Sequence, residues 1–302
     1  MFANISKGTL FPISHRGFKH LYRVFDVKSG GMGTVYILDK EEGEWNAVFQ
    51  QMIAIKTYKH SITNIGGAGF FEKELNIWIV LENRNILPLR KIMSHEDQFL
   101  AVMPFCEESV RSLISKVQGK FNVMLAAQVL GQVFSGLEYA YKMYSILHLD
   151  IKPENVLLEF TNDKIYKISD WGISKLHSSL LSATNYNENM ITETCSNFGT
   201  LPYMSPERLM GFQNNIGFDI YSCGVMFYEI IFGCLPFNSE SGKNIYAQIM
   251  TGDYYEKASI DLRNIKADKI TRIVLNCISP DHRQRYDNYA DIIRDISNIN
   301  KG

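Results

Sequence analysis

The segment HLDIKPEN, residues 148–155, concentrates side chains that can carry out phosphoryl transfer. Asp150 can accept or orient the proton of an incoming substrate hydroxyl, and Lys152 can neutralise the charge of the moving phosphoryl group. Asn155 offers an amide oxygen that can coordinate a metal ion. Apolar runs flank the segment, and so many chemical groups are unusual in a purely structural loop. The spacing therefore predicts a catalytic loop.

A second carboxylate that can bind a metal ion follows in ISDWG. Asp170 comes immediately after a predicted strand, where its oxygens can hold Mg²⁺, an ion that prefers oxygen ligands. An aspartate before a turn can also cap a loop through its own side chain. Both interpretations of Asp170 fit the sequence.

A glycine-rich turn lies between two predicted strands in SGGMG, residues 29–33. Gly30 and Gly33 lack side chains, so their backbone amides can approach phosphate oxygens closely. Met32 can cover the tip of this turn. A plain turn without a ligand is the alternative that composition alone allows.

A lysine ends the apolar segment IAIK and needs either a route to solvent or an anionic partner. Glu74, in the following predicted helix, can pair with Lys56 and leave the ammonium group directed at nucleotide phosphates. Glu72 and Glu82 lie in the same segment and compete for this role. A lysine at a sheet edge that extends into solvent is the structural alternative.

Two regions with different patterns must position these side chains. Up to about residue 100, alternating segments such as YRVFDV and QMIAIKTY predict an antiparallel sheet, as do ILPL and FLAVMPF, and FFEKELNIWIVLEN predicts one helix. The remainder is mainly helical, and FDIYSCGVMFYEIIFG is apolar almost all round, which predicts a helix buried in the centre of a lobe. Another predicted helix carries an apolar stripe of Leu130, Val133, Phe134, Leu137 and Tyr141.

Composition limits the classes of partner. The chain has 302 residues, 46% of them hydrophobic, and 31 basic against 32 acidic residues give a net charge of -1. No net positive field is present to hold a nucleic acid or an anionic membrane. The five cysteines form no CxxC pair, and neither a secretory signal nor a run of 18 apolar residues occurs. We expect a cytoplasmic protein, or one that acts in a host cytosol if it is a secreted effector.

Together these segments resemble the eukaryotic-like Ser/Thr protein kinase family, from about residue 20 to residue 298. SGGMGTVY is similar to the glycine loop of bacterial members, IAIK to the strand lysine motif and HLDIKPEN to the catalytic loop. DWG is similar to the metal motif, GTLPYMSPE to the end of an activation segment, and FDIYSCG to the central helix of the large lobe.

The resemblance implies an α+β, bilobal protein kinase fold. A small lobe with an antiparallel sheet and one helix would span residues 20–103, and a larger, mainly helical lobe would span 108–302. A hinge would occupy residues 104–107, and residues 1–19 would form an N-terminal extension.

The resemblance also assigns roles to residues. It selects Glu74 as the partner of Lys56, and both join Asp150 and Lys152 as catalytic residues, with Asn155 and Asp170 as metal ligands. Lys152 and Thr200 are typical of kinases that phosphorylate protein Ser/Thr hydroxyls, with ATP and Mg²⁺, or alternatively Mn²⁺, as the donor. In the activation segment, Glu207 would pair with Arg283. The ATP site would comprise Gly30, Gly31, Met32, Gly33, Val35, Ala54, Lys56, the gatekeeper Met103, the hinge residues Pro104, Phe105 and Cys106, and Leu157.

One position departs from the family in the catalytic loop. Leu149 stands where an arginine typically binds a phosphate on the activation loop and so orders that loop. The chemical residues remain, so we expect an enzyme whose activation does not depend on that arginine. Residues 176–199, rich in Ser, Thr and Asn, form a long activation loop that is available for autophosphorylation.

Two other classes of protein compete with this interpretation. A pseudokinase would act as a scaffold, although such proteins generally lack one of Lys56, Asp150, Asn155 and Asp170. A small-molecule phosphotransferase of kinase-like fold would use the same carboxylates, but it would have no need for a peptide-docking segment such as GTLPYMSPERL. Turnover of Mg-ATP and the identity of the acceptor separate the three classes.

Overall fold

The computed structural model describes residues 5–15, 18–29, 33–43, 50–58, 75–95, 98–116, 123–160, 163–171, 200–237 and 244–299. The chain divides into two compact units. The first consists of Met1–Glu82, Leu87–Cys106 and Trp171–Leu176, and the second of Asn83–Ile86, Glu107–Asp170 and His177–Gly302. The division after Cys106 falls within the predicted hinge.

Residues 83–86 belong to the second unit, although the sequence places them in the small lobe. The Asn85 side-chain amide donates to Gln132 Oε1 at 2.9 Å and to the Tyr166 carbonyl at 3.0 Å. Ile86 forms a parallel bridge with Ile168. These contacts join residues 83–86 to the second unit.

The first unit is a six-stranded antiparallel sheet with a short helical segment at residues 75–79. The predicted strand ILPL, residues 86–89, is not one, because Pro88 cannot donate to a ladder. In spatial order the sheet runs β1-β2-β3-β4-β6-β5. The strands are β1 Leu10–His15, β2 Phe18–Ser29, β3 Gly33–Glu42, β4 Met52–Tyr58, β5 Lys91–His95 and β6 Gln98–Pro104.

Strand β1 lies in the segment predicted as an N-terminal extension. It pairs with β2 along its whole length, and Ile13 is fully buried in the core of the sheet. The Lys91 ammonium group of β5 donates to the Ser14 carbonyl, so the two outer strands of the order approach each other. The sheet is therefore curled around one apolar core, which contains Ile13, Tyr22, Val24, Tyr36, Leu38, Ile53, Ile55, Leu100 and Val102.

The second unit is mainly helical. The predicted central helix is present as α4, and almost all of its residues are buried. The predicted apolar stripe lies on α2, where four of its five members are buried and Tyr141 is exposed. The helices are α1 Val110–Lys116, α2 Val123–Tyr144, α3 Pro206–Leu209, α4 Ile216–Phe232, α5 Ile245–Thr251, α6 Tyr254–Asn264, α7 Asp268–Ile278 and α8 Tyr289–Ser297.

A small sheet in the second unit frames the HLDIKPEN segment. Its strands are β7 Glu108–Ser109, β8 Val156–Phe160 and β9 Lys164–Ile168, and β8 pairs antiparallel with both β7 and β9. The segment ends in a 3-10 turn at Pro153–Asn155, directly before β8. Within the described ranges, no helix is long and apolar enough to cross a membrane.

Candidate active site

A buried carboxylate on the central helix holds the HLDIKPEN segment in place. Asp219 is fully buried near the start of α4, and its two oxygens accept the backbone N–H groups of His148 at 2.8 Å and Leu149 at 2.6 Å. Burial raises the pKa of Asp219, although the positive partner charges and these amide hydrogen bonds oppose that rise. An ionised carboxylate with two amide donors forms strong hydrogen bonds, so it fixes the entry of the loop.

His148 links this loop to the end of β9. Its Nδ1 lies 3.2 Å from the backbone nitrogen of Asp150, and its Nε2 lies 2.9 Å from the carbonyl oxygen of Ser169. A nitrogen that accepts from a backbone N–H carries no proton itself, so the second ring nitrogen is the one that donates to Ser169. The ring therefore ties the residue before Asp170 to the loop that carries Asp150.

Asp150 lies at the centre of a hydrogen-bonded cluster. Lys152 Nζ is 3.0 Å from its Oδ2, and the Thr200 hydroxyl donates to its Oδ1 at 3.0 Å. Lys152 Nζ also donates to the Thr200 hydroxyl at 2.8 Å. All three residues are buried. The structure thus brings the Thr200 hydroxyl to the Asp150 carboxylate and the Lys152 ammonium group, which lie 50 and 48 residues before it in the sequence.

The predicted metal ligands lie on adjoining segments of the second unit. Asn155 Nδ2 donates to the Asp150 carbonyl at 2.8 Å and to Asp150 Oδ2 at 2.9 Å, which leaves its Oδ1 as the oxygen for a cation. The Asn155 carbonyl accepts from Ser169 N at 2.8 Å, so Asp170 follows a residue bound directly to Asn155. An amide oxygen beside a carboxylate fits Mg²⁺, which completes its coordination with waters and phosphates.

Leu149 occupies a strained conformation that is held from both sides. Its φ of 62° lies in the left-handed region, which is unusual for a leucine. Its N–H donates to Asp219, and its carbonyl accepts from Nη1 of Arg208, a buried residue of α3. The positive charge of Arg208 also acts against the raised pKa of Asp219. A link between α3 and the catalytic loop therefore exists without the arginine that the family has at position 149.

The predicted ATP-site residues of the first unit share one face of its sheet. Val35 pairs with Lys56, and Ala54 pairs with Met103. Because side chains alternate along a strand, these four lie opposite the apolar core, which takes their neighbours Tyr36 and Ile55. Phe105 and Cys106 follow β6 and are half-buried, and Leu157 lies on β8 in the second unit.

Several predicted residues lie outside the described residues. They are Gly30, Gly31 and Met32 of the glycine loop, Glu74, and the 176–199 segment. Their assigned roles stay predictions. Gly33, by contrast, is the buried first residue of β3.

The predicted pair of Glu207 and Arg283 is wrong, because Arg285 takes the place of Arg283. Arg285 Nη1 is 2.5 Å from Glu207 Oε1 and its Nη2 is 3.1 Å from Oε2, with both side chains buried. Arg283 lies in the 3-10 turn His282–Gln284, where Asp281 accepts from its Nε at 2.9 Å and its side chain is 80% exposed. The Tyr221 ring lies 4.8 Å beneath the Arg285 guanidinium and completes the buried site.

Sequence reasoning missed Asp219 and Arg208, and both had a detectable signal. Asp219 stands near the start of an otherwise apolar helix, and a buried carboxylate requires partners. Arg208 directly follows Glu207 in a helix of four residues that are all buried.

Separate substitution of Arg285 and Arg283 gives a matched stability test. Arg285→Met leaves Glu207 as an uncompensated buried charge and is expected to lower the free energy of unfolding by about 3–5 kcal/mol. Arg283→Ala removes only an exposed ion pair and should leave the urea midpoint nearly unchanged. Urea unfolding followed by tryptophan fluorescence measures both. Equal midpoints for the two variants would contradict the corrected pairing.

Comparison with known proteins identifies the family of this chain. The family model described as "Protein kinase domain" matches residues 27–295. A probable serine/threonine-protein kinase of Clostridium acetobutylicum is 26% identical over 91% of this chain and 39% of its own length. The probable serine/threonine-protein kinase PknB of Lactococcus lactis is 24% identical over 93% of this chain and 42% of its own length. The chain thus spans about two fifths of the length of these curated relatives.

A solved structure supports the predicted fold. A crystal structure of Rad53 residues 1–466 in complex with AMP-PNP matches 90% of this chain and 64% of that chain, with a TM-score of 0.68 and 21% identity. The match confirms the α+β protein kinase fold, with an antiparallel sheet in one unit and mainly helices in the other. With a family model that covers most of its length, the chain belongs to the protein kinase domain family, and the curated relatives that it resembles are serine/threonine-protein kinases.

Proposed function

We propose that this chain is a Ser/Thr protein kinase that transfers the γ-phosphoryl group of ATP to protein hydroxyls. The observation that carries the proposal is the buried cluster of Asp150, Lys152 and Thr200. A carboxylate next to an ammonium group can receive a hydroxyl proton while the ammonium group offsets charge on the phosphoryl oxygens. The named relatives are serine/threonine-protein kinases, which supports the same acceptor class.

The cluster assigns a separate task to each side chain. Asp150 orients the acceptor hydroxyl and takes its proton as the acceptor oxygen bonds to the γ-phosphorus and the bond from that phosphorus to the bridging oxygen of the leaving ADP breaks. Lys152, held by both Asp150 and Thr200, keeps its charge beside that carboxylate. Thr200 fixes the start of the segment from 200 to 209 against the catalytic carboxylate, so this segment can support the substrate chain.

The donor side of the reaction requires a nucleotide and a divalent cation. When bound, Mg-ATP supplies the phosphoryl group, with the cation neutralising its phosphate oxygens. Asn155 Oδ1 and the Asp170 carboxylate are the oxygens we assign to Mg²⁺, and Mn²⁺ fits the same donor set. In the first unit, Lys56 lies on the sheet face with Val35, Ala54 and Met103, where an adenine nucleotide would contact apolar side chains.

One transfer assay separates this proposal from the two competing classes. Wild-type protein with labelled ATP and Mg²⁺ is expected to label Ser/Thr peptides in preference to Tyr peptides. Asp150→Asn should lower that rate by about 100-fold or more, because a positioned general base contributes that much. Asp163→Asn, an exposed carboxylate on the same unit, serves as the matched control and should retain the rate.

The remaining outcomes of that assay support other classes. A folded wild-type protein that binds ATP but labels no peptide would be a scaffold. Label on small alcohols with none on any peptide would indicate a small-molecule phosphotransferase. Equal activity in Asp150→Asn and in the wild type would remove Asp150 from the mechanism.

We also propose that the catalytic loop is ordered without an activation-loop phosphate bound at position 149. Leu149 has an apolar side chain and cannot bind phosphate, whereas its backbone is held by Asp219 on one side and by Arg208 on the other. Arg208 lies in the same helix as Glu207, so this helix connects the segment after Thr200 to the catalytic loop. Phosphates that autophosphorylation adds to the 176–199 loop would then bind residues other than Leu149.

Substitution of Arg208 tests that connection. Arg208→Lys, which keeps the charge but loses the fork of donors, is expected to lower kcat by about tenfold, the effect of one hydrogen bond from a charged group. The KM for ATP should change little, since the predicted adenine-binding residues on β3, β4 and β6 are untouched. Steady-state kinetics on dephosphorylated protein measures both constants, with Arg283→Ala as the control. Full kcat in Arg208→Lys would refute the role of this hydrogen bond.

A further inference from the structure

A third donor reaches the buried Asp219 carboxylate from a helix that carries none of the predicted site residues. Tyr289 is the first residue of α8, and its hydroxyl donates to Asp219 Oδ2 at 3.3 Å. The same oxygen accepts the backbone N–H of His148 at 2.8 Å, whereas Leu149 donates to the other oxygen. Tyr289 is itself buried. The hydroxyl of α8 and the entry of the catalytic loop therefore share one carboxylate oxygen.

The environment of Tyr289 keeps its hydroxyl a donor. Burial, followed by the charge of Asp219, raises the pKa of this phenol. A phenol that keeps its proton can donate it, and an ionised carboxylate can only accept. The hydrogen bond therefore favours the ionised form of Asp219, which is the form that accepts the two backbone N–H groups of the loop.

The ring of Tyr289 is fixed by its neighbours on α2 and by the start of its own helix. Phe134 lies 6.1 Å away between ring centroids, and Tyr141 meets the ring edge-on at the same distance. The Asn288 side chain caps α8 by accepting from the backbone N–H of Asp291 at 2.9 Å. Two aromatic contacts and a helix cap thus hold the hydroxyl in one direction, toward Asp219.

A change at this carboxylate oxygen reaches both halves of the site through His148. The backbone of His148 is bound to Asp219, and its ring contacts the Asp150 nitrogen at 3.2 Å and the Ser169 carbonyl at 2.9 Å. Loss of one donor from a buried carboxylate is costly, because solvent does not replace it. A carboxylate that moves to recover this interaction would move His148, and with it the residues that carry the chemistry.

We propose that Tyr289 is a positioning residue, which acts through Asp219 to hold the entry of the catalytic loop. The inference rests on the proposed protein kinase function. It makes α8 a part of the apparatus that orients Asp150, although Tyr289 belongs to no segment that we assign to nucleotide, cation or peptide binding. The carboxylate is solvated from two sides, by the loop and by α8.

Steady-state kinetics of Tyr289→Phe test the proposal, because this substitution keeps the ring and removes only the hydroxyl. We expect kcat to fall by about fivefold, a modest effect for a bond to a charged group because 3.3 Å is long for an O–H donor. The KM values for ATP and for a serine peptide should stay within about twofold. Tyr141→Phe is the matched control, since its ring belongs to the same aromatic cluster but is 42% exposed, and it should retain kcat.

Backbone amide hydrogen exchange in the same variants provides a measurement that needs no activity. The N–H groups of His148 and Leu149 are bound to Asp219, so their exchange reports the hold on the loop. In Tyr289→Phe we expect their exchange to accelerate by about fivefold more than that of amides in the centre of α4, which report global unfolding. Tyr141→Phe should show no such difference.

Two results would overturn the inference. Unchanged kcat in an active Tyr289→Phe enzyme would mean that the hydroxyl does not position the catalytic loop. Equal acceleration of exchange at the loop and at the centre of α4 would mean that Tyr289 only stabilises the packing of α8. Absence of peptide phosphorylation by the wild type would instead overturn the proposed function, and the exchange measurement would still decide whether Tyr289 holds the loop.

Discussion

The Asp219 carboxylate is the constraint on which the rest of the site depends. It is fully buried in α4 and accepts two backbone N–H groups of the catalytic loop. Removal of a buried charge from water is costly unless hydrogen bonds replace the lost solvation. The loop therefore completes the solvation of the carboxylate, and the carboxylate fixes the loop. This mutual dependence explains why a charged residue is retained in a helix that is otherwise packed into an apolar core.

Hydrogen bonds within and next to this loop then position each of the candidate catalytic residues. His148 connects the loop to Ser169 and so to Asp170, and Asn155 connects the same loop to the Asp150 carboxylate. Leu149 adopts a left-handed backbone that costs about 1–3 kcal/mol, and hydrogen bonds on both of its sides offset this strain. A side chain that binds an external phosphate is not part of this arrangement. The absence of arginine at position 149 is thus compatible with a preformed loop.

Sequence reasoning could place the candidate catalytic residues near one another because they occur close together in short segments. HLDIKPEN places Asp150, Lys152 and Asn155 within six consecutive residues that end in one 3-10 turn, so their proximity follows from covalent geometry. The central helix could be predicted equally well, because a long segment that is apolar almost all round has few other interpretations. The α+β kinase fold followed from the order of the motifs.

Partners distant in sequence were harder to predict. Glu207 and Arg285 are 78 residues apart in the sequence. The expected partner, Arg283, lies instead in a short 3-10 turn that Asp281 caps, so the arginine that pairs with Glu207 is the one two residues later. The sequence analysis assigned strand β1 to an N-terminal extension, because apolar and polar residues alternate only weakly along it. Its position in the sheet comes from its pairing with β2.

The most direct test of a loop ordered by Asp219 and Arg208 is the time course of phosphoryl transfer by fully dephosphorylated wild-type protein. The account predicts product that accumulates linearly from the first seconds, at the same initial rate as enzyme that was never treated with phosphatase. A lag that shortens as the enzyme concentration rises would show that molecules must first phosphorylate one another. That result would contradict a catalytic loop that internal hydrogen bonds hold ready.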